Sequence, residues 1–446
     1  MIQTLSVKGF ISIDCGIARN GGYTDDTYKI TYTSDDEFID TGVNAKITPA
    51  SMSANNPRKL YVTLRSFPNG TRNCYNLSPS GGAKGKKYLI RASFMYGNYD
   101  GLNEIPQFDL HVGVNRWTTV VLPNASSSIY YETVHVPRTT NMSVCLIDTG
   151  GGVPFISGLE LRPLDGESYM GATQGSSLVK YLRYNCGGQD FIRFPDDTLD
   201  RIWRSYYNQT TQNPISTTSN VDKNNHFKLP YAVMSTAVTP STGDALKFDW
   251  QASVIGSKDG QHIYMHFMEL QQLKTNESRK FGIEINGQSF YKPFQPDYLS
   301  VSTIFSINPL NGSTYNVSIQ KTNDSTLPPI LNAVEVYFVR PMQISPTDDQ
   351  DVEAITNIKM TYSIKKKKWN GGDPCFPREY SWDGLNCSID DSINPPRIIS
   401  LNISNNQLSG SIPLALLKKM NNQELSLRAM AVREGETERE ASVTRE

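Results

Sequence analysis

Long apolar runs are missing from this 446-residue chain. The longest candidates, such as Ala333 to Val339, are interrupted by a Glu, and none approaches the roughly 18 residues of a membrane-spanning helix. A dominant charge is missing too. Forty-three Lys and Arg stand against 44 Asp and Glu, so no overall field gathers nucleic acid or an anionic membrane. Helical periodicity is scarce, and no Ser, His and Asp in motif context and no Cys–His pairing marks a nucleophile. Neither catalysis nor a cofactor is expected, and no nucleic acid partner. Apolar residues at 38%, with 23 Tyr and 17 Phe, exclude a disordered chain, and the length suits about three domains.

Asparagine sequons are abundant where other signals are sparse. Asn-x-Ser/Thr occurs at Asn69, Asn76, Asn124, Asn141, Asn208, Asn276, Asn311, Asn316, Asn323, Asn386 and Asn402, against about six expected from the Asn, Ser and Thr content. The excess points to a glycosylated, extracellular or cell-surface protein. Six cysteines, Cys15, Cys74, Cys145, Cys186, Cys375 and Cys387, agree with an oxidising compartment. Against this, the first ten residues lack the 7 to 15 residue apolar core of a secretory signal. Either the natural start lies upstream, or the protein never enters the pathway its sequons imply.

An internal repeat organises the first 340 residues. Phe10-Ile-Ser-Ile-Asp-Cys15-Gly16 recurs as Tyr181-Leu-Arg-Tyr-Asn-Cys186-Gly187, and Asp25-Asp26-Thr27 as Asp196-Asp197-Thr198, both 171 residues on. Phe108 to Gly113 matches Phe281 to Asn286 at an offset of 173, and Pro154 to Leu161 matches Pro329 to Val336 at 175. Two tandem copies of one domain follow. Tyr88 to Phe94, Phe108 to Val114, Thr118 to Leu122, Ala245 to Val254, His262 to Leu270 and Asn332 to Val339 alternate apolar with polar residues between Gly/Asn/Pro/Ser clusters, as strands of an antiparallel sandwich or jelly roll do. Val352, Ile355, Ile358 and Tyr362 then recur at helical steps behind an acidic first turn, ending in Lys365 to Lys368, a solvated helix end. Further on, Leu401-x-Ile403-x-x-Asn406-x-Leu408-x-Gly410-x-Ile412-Pro413 fits one leucine-rich repeat. The tail beyond 425 carries little apolar pattern and is expected to be disordered.

The Phe10 to Gly16 motif, Leu64-Arg-Ser-Phe-Pro68, Arg72-Asn-Cys-Tyr75, Tyr96-Gly-Asn-Tyr-Asp-Gly101, Cys145 to Gly150 and Gly372-Asp-Pro-Cys375 together resemble the extracellular part of plant malectin-like, leucine-rich-repeat receptor kinases, the group that includes the symbiosis receptor kinase. The resemblance implies a mainly β chain: two tandem malectin-like jelly-roll β-sandwiches at 9–165 and 178–342, a linker with a short helix at 343–374, and a leucine-rich-repeat cap with one repeat at 375–425. Residues 426–446 are the tail. The family continues into a membrane helix and a kinase, whereas no Gly-x-Gly-x-x-Gly loop or His-Arg-Asp occurs here, as in a truncated form. The resemblance also implies a Cys375–Cys387 disulfide bracketing a Trp382 cap. Cys74 and Cys145 are the candidate pair within the first copy, with Cys15 and Cys186 expected as separate buried thiols; the pairing of these four stays open.

The reading is a non-enzymatic ligand-recognition module that binds a cell-wall carbohydrate, a peptide or a co-receptor kinase ectodomain. Tyr96, Tyr99, Asp100 and Asn103 on a Gly-rich loop are the candidate ligand contacts, because aromatic faces stack on sugar C–H patches while carboxylates and amides bond hydroxyls. A rival reading makes Asp25/Asp26 and Asp196/Asp197 the acid pairs of a glycan-active enzyme or calcium ligands, although a feature duplicated with its fold is expected to serve the turns. Structural adhesion without a defined ligand is the third reading. His262-x-x-x-His266 has a zinc-like spacing but falls in a strand pattern.

Overall fold

The computed structural model describes residues 9–402 apart from 56, 165, 190, 222–224, 253–259, 362–368, 370 and 389–394, together with the backbone of 426–429 and 441–442. β-Structure dominates, and one 11-stranded sheet runs through both halves. Within it the order Ile11–Asp14, Gly158–Leu164, Lys87–Met95, Ser128–His135 is followed by Ser176–Cys186, Ala333–Pro341, Gln261–Phe267, Ser302–Phe305. The second quartet repeats the first, strand for strand. The same holds for two further sheets: Arg72–Leu77, Met142–Gly151, Gln107–Val112, Asn115–Val120 in one half, and Ala245–Gln251, Thr314–Lys321, Phe281–Ile285, Gln288–Phe294 in the other.

Contacts repeat with the strands. Thr63 donates to Asp14 (2.8 Å), and Thr236 donates to Asn185 (2.9 Å) at the matching place. Gly16 and Gly187 both have positive φ, and a Cβ would lie 2.0 Å from the Leu64 carbonyl oxygen at the first and 2.5 Å from that of Ala237 at the second. The Cys-Gly step of the motif is thus a backbone crossing that admits only glycine.

The alternating strands differ from expectation in one respect. Lys87–Met95 and Gln261–Phe267 are buried at every position, on both faces. Their polar face meets a layer of buried charge instead of water. Arg91 donates to Glu132 (2.7 Å) and Glu160 (2.8 Å), Arg162 to Glu160 (2.7 Å) and Asp200 (2.6 Å), Arg193 to Glu160 (2.8 Å) and Asp200 (2.6 Å), and Arg183 to Glu132 (2.7 Å) and Glu335 (2.8 Å). All eight side chains are at most 2% exposed. Four cations balance four anions, and Arg91–Asp200, Arg193–Glu160 and Arg183–Glu132 cross from one half to the other. Glu160 and Glu335 are the matching acids of the repeat.

The C-terminal segment returns to the first half. Helix Asp349–Thr361 buries Ile355 and Ile358 against Trp369, Trp382 and the Cys375–Cys387 disulfide, with the two indoles stacked 4.9 Å apart. Arg72, buried so that its guanidinium is pushed down to about 10, donates to the carbonyls of Asp373 (2.9 Å) and Phe376 (3.0 Å). Gly371 and Gly372, both at positive φ, lie on Cys74, and a Cβ on Gly372 would meet its Sγ at 2.7 Å. Ile398–Asn402 pairs antiparallel with Leu385–Cys387 and parallel with Ser426–Ala429, Leu401 standing in register with Leu427. The tail expected to be disordered from 426 therefore supplies strands at Ser426–Ala429 and Ala441–Ser442. The paired leucines are 26 residues apart in sequence. Tyr362, Lys365 to Lys368, and Ile403 through Pro413 lie outside the described residues.

Arg183→Met removes from the charge layer the cation shared by Glu132 and Glu335, leaving it one positive charge short, and is expected to cost about 3–5 kcal/mol in chemical denaturation, whereas Arg116→Met, at an exposed pair with Asp109, costs less than about 1 kcal/mol. Burial opposes the charge of Glu132, but Arg183 and Arg91 outweigh it and hold its carboxyl down to about 2. Its stabilisation is complete above the unfolded value of about 4.3 and is lost as pH falls through about 2, so acid titration of stability should be steep across that window and shallower in Arg183→Met. Gly372→Ala should cost roughly 1–3 kcal/mol and speed hydrogen exchange across 371–387 while leaving the large sheet protected.

Candidate functional site

The strand Lys87–Met95 runs into the loop that carries the candidate contacts. Tyr96 is 0% exposed, its ring against Phe155 (centroids 6.1 Å apart) and Tyr99 (5.6 Å), and its hydroxyl donates to Asp100 (2.6 Å). Tyr96 as a solvent-facing contact is therefore corrected: it belongs to the core of the first half. Tyr99 is half-buried and packs on the same Phe155 at 5.6 Å. Apolar rings next to a core phenylalanine gain more by packing inward than by facing water, and a residue list cannot show which way a ring turns.

Asp100 and Asn103 remain on the surface but are engaged in holding the turn. The Asp100 carboxylate also accepts from the Leu102 amide (3.1 Å), and Asn98 and Asn103 exchange two bonds of 2.9 Å, with both asparagines at positive φ. The loop is braced from within. Outward it presents Leu102, 65% exposed, and Ile105 at 36%, beside Asp100 and Asn103. Neither apolar residue stood out in the sequence, and only the absence of a matching burial partner in the strand pattern could have flagged them.

In each acid pair one carboxylate is engaged and the other is exposed. Asp25 accepts from the amides of Thr27 (3.0 Å) and Tyr28 (2.9 Å); Asp197 accepts from the Leu199 amide (2.9 Å), Arg201 (2.7 Å) and the Trp203 indole (2.7 Å). Asp26 and Asp196 are exposed. The turn-bonding role thus falls on the first acid of one pair and the second of the other, one residue out of the sequence match. One carboxylate of each pair is taken up by its turn, leaving a single free acid where glycoside hydrolysis uses two.

His262 and His266 lie on one strand, and each finds a partner other than a metal. The His262 Nδ1 is 2.9 Å from the Ser306 carbonyl oxygen; the His266 nitrogens are 2.9 Å from Thr303 Oγ1 and 3.3 Å from Glu335. Burial holds both imidazoles below their ordinary value. Among the described residues no group of three His, Cys, Asp or Glu could hold a metal ion. Cys74 and Cys145, cross-strand neighbours, form a disulfide, as do Cys375 and Cys387, whereas Cys15 and Cys186 are buried thiols. All eleven sequon asparagines are exposed, and no helix among the described residues is long and apolar enough to cross a membrane.

Comparison with known proteins supplies the family. The malectin-like domain model matches residues 13–339. A probable leucine-rich-repeat receptor-like serine/threonine-protein kinase of Arabidopsis thaliana, MEE39, is 43% identical over 410 residues, covering 91% of this chain and 46% of that protein. The chain spans about half the length of the curated relatives it matches. Among solved structures, the ANX2 ectodomain from Arabidopsis thaliana aligns with a TM-score of 0.60 at 19% identity, over 75% of this chain and 97% of that one. A structure of the plant peptide RALF23 in complex with FER and LLG2 aligns with a TM-score of 0.56 at 18% identity, over 74% of this chain and 95% of the matched one. With that model spanning nearly three-quarters of its residues, the chain belongs to the malectin-like domain family, and the curated relatives it resembles are probable leucine-rich-repeat receptor-like kinases.

Proposed function

We propose that this chain is the extracellular ligand-recognition part of a leucine-rich-repeat receptor-like kinase, without catalytic activity of its own, and that it binds a peptide or protein together with a partner ectodomain. The observation that carries a peptide over a carbohydrate is the inward turn of Tyr96 and Tyr99. A sugar site needs an aromatic face toward the pyranose, and this loop offers instead a braced tip of Leu102 and Ile105 with one carboxylate and one amide, the composition of a small protein contact. The similarity to a receptor structure holding a peptide and a third protein supports the same reading. In this reading two malectin-like jelly rolls, 9–165 and 178–342, form the recognition body, 343–374 joins them to a leucine-rich-repeat segment at 375–425, and the exposed sequons carry glycans.

Peptide and glycan arrays probed with the folded, secreted protein test the proposal. Peptide hits are expected that weaken at least tenfold in Leu102→Asp, with unchanged thermal stability because Leu102 buries little. Selective glycan binding without a peptide hit would overturn it. Tyr96→Phe is expected to cost about 1–2 kcal/mol through the bond lost to Asp100, and Tyr99→Ala roughly 1–3 kcal/mol through packing on Phe155, so both act on stability before binding. Endoglycosidase treatment of the secreted protein should lower its mass by several glycans; an unchanged mass would remove the extracellular assignment.

A further inference from the structure

A cleft of about 430 Å³ separates the edge of the first half from helix Asp349–Thr361. Its walls are mixed: Val114, Met142, Pro346 and Val352 line it together with six polar residues, Asn76, Asn141 and Ser143 on one side and Glu353, Thr356 and Asn357 on the other. Two of these six are sequon asparagines, and none of the other nine sequons lines the cleft. Their placement is close to the contacts that seat the helix. Asn141 follows Thr140, whose amide (3.2 Å) and hydroxyl (3.3 Å) donate to Asp349 in the first helical turn. The Asn76 Nδ2, the atom to which a glycan would be bonded, lies 3.5 Å from where a Cβ on Gly371 would stand, at the seam between the first half and the cap.

We propose that N-linked glycans rooted at Asn141 and Asn76 lie in this cleft and brace the helix and cap against the first half. The inference rests on the glycosylated, extracellular reading above. The chemistry of the walls selects the occupant. Hydroxyl, amide and carboxylate groups bond the hydroxyls and acetamido groups of a neutral sugar, Asp349 and Glu353 repel an anionic ligand, and the apolar Val114, Met142 and Val352 suit the C–H faces of a sugar ring. Besides the two Thr140–Asp349 bonds, the ion pairs that hold the helix are weak and solvent-accessible: Lys84–Asp349 at 3.2 Å and Lys359–Asp40 at 3.5 Å. A tethered sugar adds hydrogen bonds with little loss of freedom, because its root is already fixed to one wall.

The test uses the protein secreted from a plant or insect host. Glycopeptide mass spectrometry first establishes occupancy at Asn76 and Asn141; if both are unoccupied, the glycosylated premise fails there and the brace with it. With occupancy shown, hydrogen exchange is compared for wild type, the Asn76→Gln/Asn141→Gln double variant and Asn276→Gln, which removes a sequon remote from the cleft. Exchange across 349–361 should be at least fivefold faster in the double variant and unchanged in Asn276→Gln. Trimming wild-type glycans enzymatically to the first sugar gives a second readout without substitution, and should leave the helix better protected than complete removal does. Equal exchange in the double variant and Asn276→Gln, or between trimmed and fully deglycosylated protein, would overturn the brace while leaving glycosylation itself established.

Discussion

Everything on the large sheet is arranged around the buried layer of arginines and carboxylates between the two halves. Placing an ion in a protein interior costs several kcal/mol, and the layer is tolerable only because each guanidinium meets more than one carboxylate and the charges cancel. That condition fixes geometry. Arg193 and Asp200 come from the segment that follows the first strand of the second half, and they meet Arg91, Glu160 and Arg162 only if that segment lies across the first half. Separating the halves would leave both sets of charges short of partners. A tandem repeat, which sequence alone would allow to swing on a linker, is thereby made one body.

The repeat, the strands and the helix were legible because each depends on local pattern. Lys87–Met95 and Ala333–Pro341 begin and end within two residues of the expected spans, and Asp349–Thr361 starts at the acidic turn that announced it. The orientation of polar faces was not legible. Arg91, Glu160, Arg183 and Glu335 sit where an alternating strand places its solvent face, and only the segment folding back from 191–204 converts that face into an interior. The same limit explains Tyr96: its residue type suits a binding loop or a core, and Phe155, almost sixty residues away in sequence, decides for the core. Asp25 and Asp197 show it at the scale of one residue, since a turn takes whichever acid of a pair its backbone presents.

A second coupling runs between the first half and the C-terminal cap, built from quite different parts. Arg72 bonds neutral carbonyls and lies over the Tyr380 ring, and Gly371 and Gly372 supply closeness where a side chain would collide with Cys74. The disulfide beneath them is part of the docking surface, with Tyr380 packed on it. The Arg72-Asn-Cys-Tyr75 and Gly372-Asp-Pro-Cys375 motifs, some 300 residues apart, are therefore two sides of one contact, which a resemblance in sequence records without explaining.

These two couplings bear on how a recognition module of this design would pass on a signal. With the halves locked by buried charge and the cap seated on the first half, bending between the parts is a costly way to report binding, since it would expose ionised groups or break the glycine contact. Under the proposed function, a ligand at the loop braced by Asn98, Asp100 and Asn103 would find a surface held in one shape, which limits the ordering cost of binding. In that same proposal, recruitment of a second ectodomain onto a rigid body would fit these couplings better than bending, with a small peptide contact and a composite surface that does the selecting.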